Sequence, residues 1–162
     1  MGRNTYPATP AVRALRRAGI PFTPFLYKYE ENGGALQAAE ALSIEAHSII
    51  KTLVFQNEKR AGLLVLMHGD MQVSAKKLAR QLQFKKAVPC DRSLAMKLTG
   101  YKVGGISPFG TRTPLPVYGE SSIFDLENIH INGGKRGLLV RIEPGGLKLM
   151  LKVTPVSVAL PL

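Results

Sequence analysis

Lys51 is the residue whose setting first suggests chemistry. It lies in the run Ile-Ile-Lys-Thr-Leu-Val-Phe-Gln, residues 49–56, which reads as a buried strand. On a strand Lys51 shares a face with Leu53 and Phe55. An ammonium on an apolar face is costly unless it meets a partner or opens onto a cleft. The alternative is a stem that snorkels its charge past the strand end. A second stretch of interest is Thr-Gly-Tyr-Lys-Val-Gly-Gly-Ile-Ser-Pro-Phe-Gly at 99–110. Gly104 and Gly105 permit positive φ and close approach of a ligand. Pro108 fixes its own φ and drives Ser107 towards an extended conformation. Such a loop either aims main-chain N–H groups at a ligand or is a tight turn between strands. The third stretch, Gly133-Gly134-Lys135-Arg136-Gly137, reads as a turn whose backbone and basic side chains invite an anion.

Several chemistries fail at these positions. Gly105 and Gly110 have the glycine spacing of a phosphate-binding P-loop, but Thr111 stands where its lysine belongs. The dinucleotide spacing Gly-x-Gly-x-x-Gly is absent. A nucleophile elbow needs glycine at Phe109, and Pro108 has no N–H to give an oxyanion. Ser107 therefore reads as a hydrogen-bonding group at the rim of a pocket rather than an attacking serine. His47, His68 and His130 have no paired spacing and accompany a single cysteine, Cys90, so no metal site is expected. No Ser-His-Asp set is suggested, and the acidic residues give little support to a carboxylate-pair hydrolase. If the chain is an enzyme, it works by positioning and polar stabilisation, with substrate groups assisting.

The elements that position these residues follow from local pattern. Thr9-Pro10 reads as an N-cap with proline at the first helical position. Ala11, Leu15 and Ala18 then face inward, and Arg13, Arg16 and Arg17 face out. Residues 1–8 read as a disordered leader. Phe22 to Tyr29 reads as a strand, Ala35 to Leu42 as a helix, and Gly62 to His68 as a strand buried on both faces, antiparallel to that of Lys51. Ser74 caps a helix over Ala75 to Leu82, and Ser93 to Thr99 is a further helix leading into the glycine loop. Strands are expected at Pro114 to Tyr118, Ile129 to Ile131, Leu138 to Ile142 and Val156 to Leu160, with a short helix starting at Pro144-Gly145-Gly146. Several strand connections are too short for helical crossovers. Together they predict one α+β domain over 9–162, with a mixed, largely antiparallel, barrel-like sheet flanked by short helices.

The net charge of +11 in 162 residues points to a polyanionic partner, nucleic acid above all, or to a generally basic protein without one. Lys76, Lys77, Arg80, Lys85 and Lys86 form a cluster suited to tracking backbone phosphates, or a merely solvated face. Aromatics are not interleaved with the basic runs, so a base-stacking RNA sheet is unsupported. No apolar run reaches membrane-spanning length. One cysteine excludes an internal disulfide and suits a reducing compartment, so a cytoplasmic protein is expected.

Thr-Pro-Ala-Val at 9–12, Ile-Lys-Thr-Leu at 50–53, the 99–110 loop and Gly-Gly-Lys-Arg-Gly-Leu at 133–138, in this order, resemble the YbaK family. These are stand-alone relatives of the editing domain of bacterial prolyl-tRNA synthetases, and the likeness is nearest to the Cys-tRNA(Pro) deacylase branch. The resemblance implies hydrolysis of the ester between a wrong amino acid and tRNA, with mischarged tRNA(Pro) and prolyl-tRNA synthetase as partners. It implies neither metal nor cofactor. Lys51 matches the family's essential lysine, which binds near the 3′-terminal adenosine. Tyr27 and Thr52 match pocket positions. Gly104, Gly105, Ile106 and Ser107, with Pro108, match the loop that holds the aminoacyl end. Gly133, Gly134, Lys135 and Arg136 are expected to line the same cleft. In cysteine-specific members the substrate's thiol attacks its own ester. Leu139 stands where close relatives often carry an acidic residue, and the amino-acid specificity implied by the resemblance turns on that position. Deacylation of another small aminoacyl-tRNA(Pro), such as Ala-tRNA(Pro), and a non-catalytic tRNA- or synthetase-binding module are the alternatives.

Overall fold

Local signals set the first element. In the computed structural model, which describes residues 5–162, Thr9 Oγ1 accepts from the Val12 N–H at 3.0 Å and opens α1 (Pro10–Arg17). This helix buries Ala11, Val12 and Leu15 and leaves its three arginines exposed. Residues 1–4 of the expected leader lie outside the described residues. Of its remainder, Tyr6 packs edge-on against Phe22 at 6.0 Å and accepts a hydrogen bond from Arg16.

The chain continues through β1 (Thr23–Leu26), α2 (Gly34–Leu42), a 3-10 turn at Ala46–Ser48, β2 (Ile49–Asn57), β3 (Gly62–His68) and β4 (Met71–Val73). Next come α3 (Ala75–Leu82), β5 (Ala87–Pro89), α4 (Arg92–Thr99) and β6 (Val117–Glu120). The last elements are a 3-10 turn at Ser121–Asp125, β7 (Ile129–Lys135), β8 (Leu138–Ile142), α5 (Gly145–Met150), β9 (Val153–Val156) and β10 (Ala159–Pro161). The main sheet runs β1-β8-β7-β2-β3-β6-β9, with β5 added beside β2, and β10 pairs with β4 in a separate ribbon. It is mixed: β2–β7, β3–β6 and β6–β9 are parallel, and the remaining ladders are antiparallel. The path is open, with β1 at one end and β9 at the other.

β3 is buried on both faces, as its apolar run predicts. Leu64 and Leu66 join the core with α1, α4 and α5, while Leu63, Val65 and Met67 join the core beneath α3. A third, smaller cluster of Ala38, Ile49 and Leu139 lies under α2.

Four boundaries differ from the sequence expectation. The first strand stops at Leu26 rather than Tyr29. β6 begins only at Val117, since Pro114 and Pro116 have no N–H for a ladder. The expected strand at 156–160 is broken into two. There the amides of Ser157 and Val158 go to the side chains of Gln81, at 3.0 Å, and Glu120, at 2.7 Å. The glycine-rich turn is also shorter than expected. β7 runs on through Gly133 and Gly134 to Lys135 with an irregular register, and only Arg136 and Gly137 turn.

Candidate functional site

The site grows out of a break in strand pairing. One edge of β2 is paired along its length with β3. The other edge meets β7 only at Ile49 and Ile50, and β5 only at Phe55 to Asn57. Residues 51–54 therefore have no strand on that side. The Cys90 N–H reaches the Val54 carbonyl at 2.9 Å across it, which shows that even-numbered residues turn their backbone groups to this edge. By the alternation of an antiparallel ladder, Thr52 presents its N–H and C=O to the same gap. A cavity of about 600 Å³ opens there, with Tyr27, Lys51, Thr52, Gly104, Ile106 and Leu139 in its wall.

Lys51 lies on the half-buried parity predicted for it. Its Nζ donates to the Met71 carbonyl. Burial pushes its pKa down, and the Asp70 carboxylate opposes that shift. An ammonium has three donors, so two remain for a ligand. The Thr52 hydroxyl oxygen is buried and has no hydrogen-bond partner among the described residues. An unsatisfied buried hydroxyl costs about 1–3 kcal/mol, a cost that a polar ligand in the cavity offsets. The Tyr27 phenol is held further towards its neutral form by burial, with Tyr29 adding to the effect.

The glycine loop contributes Val103, Gly104 and Ile106 to the wall. Gly100 closes α4 at φ +79°, and the buried Tyr101 hydroxyl donates to the Phe109 carbonyl at 2.5 Å. Gly104 has φ +94°, and a Cβ there would overlap the Tyr29 hydroxyl. A Cβ on Gly105 would lie 2.8 Å from the Arg136 nitrogen, so the loop rests directly on the backbone of the β7–β8 turn. The Gly105 amide is spent on a turn to the Lys102 carbonyl at 2.8 Å. The amides of Gly104 and Ile106 have no such partner among the described residues, and both residues line the cavity.

Other expected site residues fall elsewhere. Ser107 is fully buried rather than at a rim; its Oγ accepts from the Phe109 N–H at 3.2 Å, a turn internal to the loop. Pro108 faces a separate cavity of about 380 Å³ beside Leu64 and Leu115. Gly133, Gly134, Lys135 and Arg136 lie behind the wall rather than in it. The Gly133 carbonyl accepts from Thr9 Oγ1, and Gly134, at φ +95°, backs onto Tyr101 and Thr9. Arg136 Nε donates to the Val103 carbonyl at 2.9 Å, and its guanidinium lies 5.1 Å from the Tyr29 ring centre. Lys135 is exposed. These groups brace the glycine loop.

Asn132, Arg92 and Cys90 are among the residues of the wall that were not assigned to it from sequence. Asn132 donates to the Gly104 carbonyl at 3.2 Å and accepts from the amides of Gly134, at 2.7 Å, and Lys135, at 3.1 Å, so it ties the two glycine segments together. An Asn before Gly-Gly is an Asx-turn signal that could have found it. Leu139 lies in the wall beside Ala38 and Ile49. Arg92, at the start of α4, and Cys90 also line it. Burial, with Asp91 beside it, pushes the Cys90 thiol up. Lys76, Lys77, Arg80, Lys85 and Lys86 are all exposed, on α3 and the segment that leads to β5. Both flanks of that stretch, Val73 and Pro89, touch the cavity.

Known proteins are similar to this chain in sequence and in fold. A protein of Enterococcus faecalis, provisionally named Cys-tRNA(Pro)/Cys-tRNA(Cys) deacylase EbsC, is 29% identical over 143 residues, covering 88% of this chain and 87% of that one. The proline–tRNA ligase of Persephonella marina is 30% identical over 96 residues, 58% of this chain but 16% of the ligase. A solved structure provisionally described as a trans-editing enzyme for prolyl tRNA synthetase superposes with a TM-score of 0.79 at 25% identity, covering 94% of this chain and 98% of that one. The model of the aminoacyl-tRNA editing domain matches residues 31–149, a span that takes in β2, the glycine loop and the β7–β8 turn, and the chain belongs to that family.

Proposed function

We propose that the protein is a trans-editing hydrolase that deacylates mischarged Cys-tRNA(Pro). Its unit is residues 9–162, working in the cytoplasm on tRNA released by, or still held near, prolyl-tRNA synthetase. The observation that carries this reading is the pairing of a half-buried ammonium at the open edge of β2 with a glycine loop whose Gly104 and Ile106 line the same cavity and whose amides there have no backbone partner among the described residues. Lys51 would hold the 3′-terminal adenosine and set the ester against the loop. Thr52 and Tyr27 would add polar contacts, and the exposed cluster from Lys76 to Lys86 would meet backbone phosphates.

The wall offers an ammonium, hydroxyls and amides but no histidine to activate a nucleophile. Cys90, the thiol in the wall, is pushed towards its protonated form. The nucleophile is then the substrate's own. The cysteinyl thiol adds to its ester carbonyl, the S–C bond forms, and the C–O bond to the ribose breaks. The proton passes to the departing 3′ oxygen, and water opens the released thiolactone. Holding the thiol over the carbonyl supplies a large effective concentration, and the loop amides stabilise the oxyanion as it develops.

Leu139 favours a second substrate. With Ala38 and Ile49 it makes part of the wall apolar, which suits the methyl side chain of Ala-tRNA(Pro). Alanine has no internal nucleophile, so that reaction needs a bound water. The deciding experiment is a deacylation panel over Cys-, Ala- and Ser-tRNA(Pro) with the wild type and Lys51→Ala. Fast, Lys51-dependent release of cysteine with slow release of serine supports the first reading, and preference for alanine supports the second. Binding of all three without turnover would leave a non-catalytic tRNA-binding module.

A further inference from the structure

Lys51 is held by a segment that lies outside the main sheet. Its Nζ bonds to the carbonyl of Met71, the first residue of β4, and β4 pairs only with β10. Met71 is placed by its ladder partner Pro161 and by the two-residue turn before it, Gly69-Asp70, which is clamped to the first residue of β2 and to the 3-10 turn that precedes it. The Gly69 N–H donates to the Ile49 carbonyl at 2.6 Å. A Cβ on Gly69 would lie 2.8 Å from the Ala35 Cβ and 2.5 Å from the Ala46 carbonyl oxygen, so the turn is seated without slack. On its outer side His47 Nδ1 lies 2.9 Å and 3.2 Å from the two Asp70 carboxylate oxygens.

The His47 ring is itself fixed in place. It stacks on the His68 ring with centroids 3.7 Å apart and planes 5° from parallel. His68 is fully buried; its Nδ1 donates to the His47 carbonyl at 2.7 Å, and its Nε2 accepts from Ser122 Oγ at 2.7 Å. Burial pushes the His68 pKa down, which keeps the ring neutral and fits one donor and one acceptor nitrogen. A neutral, fully paired imidazole is thus the platform for the exposed one, and none of the three histidines lines the substrate cavity.

We propose that His47 and Asp70 are a positioning pair for Lys51: they lock the β3–β4 turn so that the Met71 carbonyl holds the Lys51 ammonium at the cavity wall. This rests on the reading of Lys51 as the group that holds the 3′-terminal adenosine and sets the ester against the loop. Neither residue lines the cavity, so the pair acts through Lys51 and not on substrate. Asp70 adds a second effect, since its charge raises the Lys51 pKa against the burial that lowers it.

The test uses the full-length chain and the variants Asp70→Ala, Asp70→Asn, His47→Ala and His47→Asn. Asparagine places an amide N–H where His47 Nδ1 donates, so His47→Asn keeps the clamp. The first arm needs no substrate. Lysines are labelled by reductive ¹³C-methylation, the Lys51 signal is assigned by its loss in Lys51→Arg, and its pH titration is followed by NMR. Asp70→Ala and Asp70→Asn are expected to move that titration to lower pH. His47→Ala is expected to change the Lys51 shift, and His47→Asn to restore it. The second arm is deacylation of Cys-tRNA(Pro). Asp70→Ala and His47→Ala are expected to lower kcat by about tenfold or more with KM within about twofold, because misplacement of a positioning group acts on the chemical step. A Lys51 signal and titration unchanged in Asp70→Ala and His47→Ala would overturn the proposal. So would wild-type kcat in variants whose Lys51 signal has moved. If the wild type releases no amino acid, the editing reading fails, and the NMR arm still decides the pair.

Discussion

Gly105→Ala compared with Ser107→Ala separates the backbone of the glycine loop from its side chains. An added Cβ at Gly105 would sit 2.8 Å from the Arg136 nitrogen and 3.0 Å from the Lys135 carbonyl carbon. Ordinary contact begins at 3.4 Å, so the two backbones must part by about 0.6 Å. The β7–β8 side is stiff, because Asn132 pins the Gly134 and Lys135 amides and Arg136 is bonded to Val103. The displacement therefore falls on the loop and moves the adjoining Ile106 amide. A shift of 1 Å at a reacting group costs about 10²-fold in rate, so a fall in kcat of about ten- to a hundredfold is expected. Ser107→Ala instead strands the buried Phe109 N–H. That costs about 1–3 kcal/mol, a drop in Tm of roughly 2–12 °C for a domain of this size, while the amides at Gly104 and Ile106 stay in place. Overpacking at Gly105 costs a similar about 1–3 kcal/mol, so stability does not tell the two apart and rate does. Single-turnover deacylation of Cys-tRNA(Pro), run well below each variant's own melting temperature, reads the difference. Gly105→Ala within twofold of wild type, or an equal loss of rate in Ser107→Ala, refutes the reasoning.

Lys51→Ala is expected to abolish deacylation with an unchanged circular dichroism spectrum; turnover by the folded variant would remove Lys51 from the mechanism. Because burial sets the Lys51 pKa below its ordinary value of 10.5, activity that needs the ammonium is lost as pH rises through that lowered pKa, earlier than for a surface lysine. A rate that holds steady to pH 10.5, measured over times short against alkaline ester hydrolysis, contradicts this. Binding of tRNA is expected to weaken linearly in log salt, and replacing Lys76, Lys77, Arg80, Lys85 and Lys86 with glutamine to flatten the slope by about 0.7–0.9 for each phosphate that is no longer neutralised. An unchanged slope places the tRNA backbone on another face. Cys90→Ser is expected to keep most activity, and rapid acid quench followed by mass spectrometry to find no aminoacyl-protein; an adduct that forms and decays at the turnover rate ends the substrate-assisted scheme.

The parts that the sequence determined are those governed by near neighbours in the chain. Thr9-Pro10 opens α1 because an N-cap and its first turn lie within four residues. Ser74 opens α3 in the same way, and β3 reveals its double burial in an unbroken apolar run. The parity of Lys51 with Leu53 and Phe55 was legible because a strand's period is two, and so was the pliancy of Gly104, which takes φ +94°. Tertiary structure alone decided what these features face. The open edge of β2 exists because β7 and β5, from distant parts of the chain, each stop short of residues 51–54. Pairing between strands so far apart leaves no periodic mark in either one. Ser107 turned inward to accept from the Phe109 amide, and the glycines at 133 and 134 became strand while Asn132, Thr9 and Tyr101 took up the space and hydrogen bonds around them. His47 and His68 showed no paired spacing in the sequence, and nothing there singled out Asp70. A 3-10 turn and a β-turn packed face to face bring them within hydrogen-bond distance, and that meeting depends on side-chain packing rather than on any local preference of the backbone.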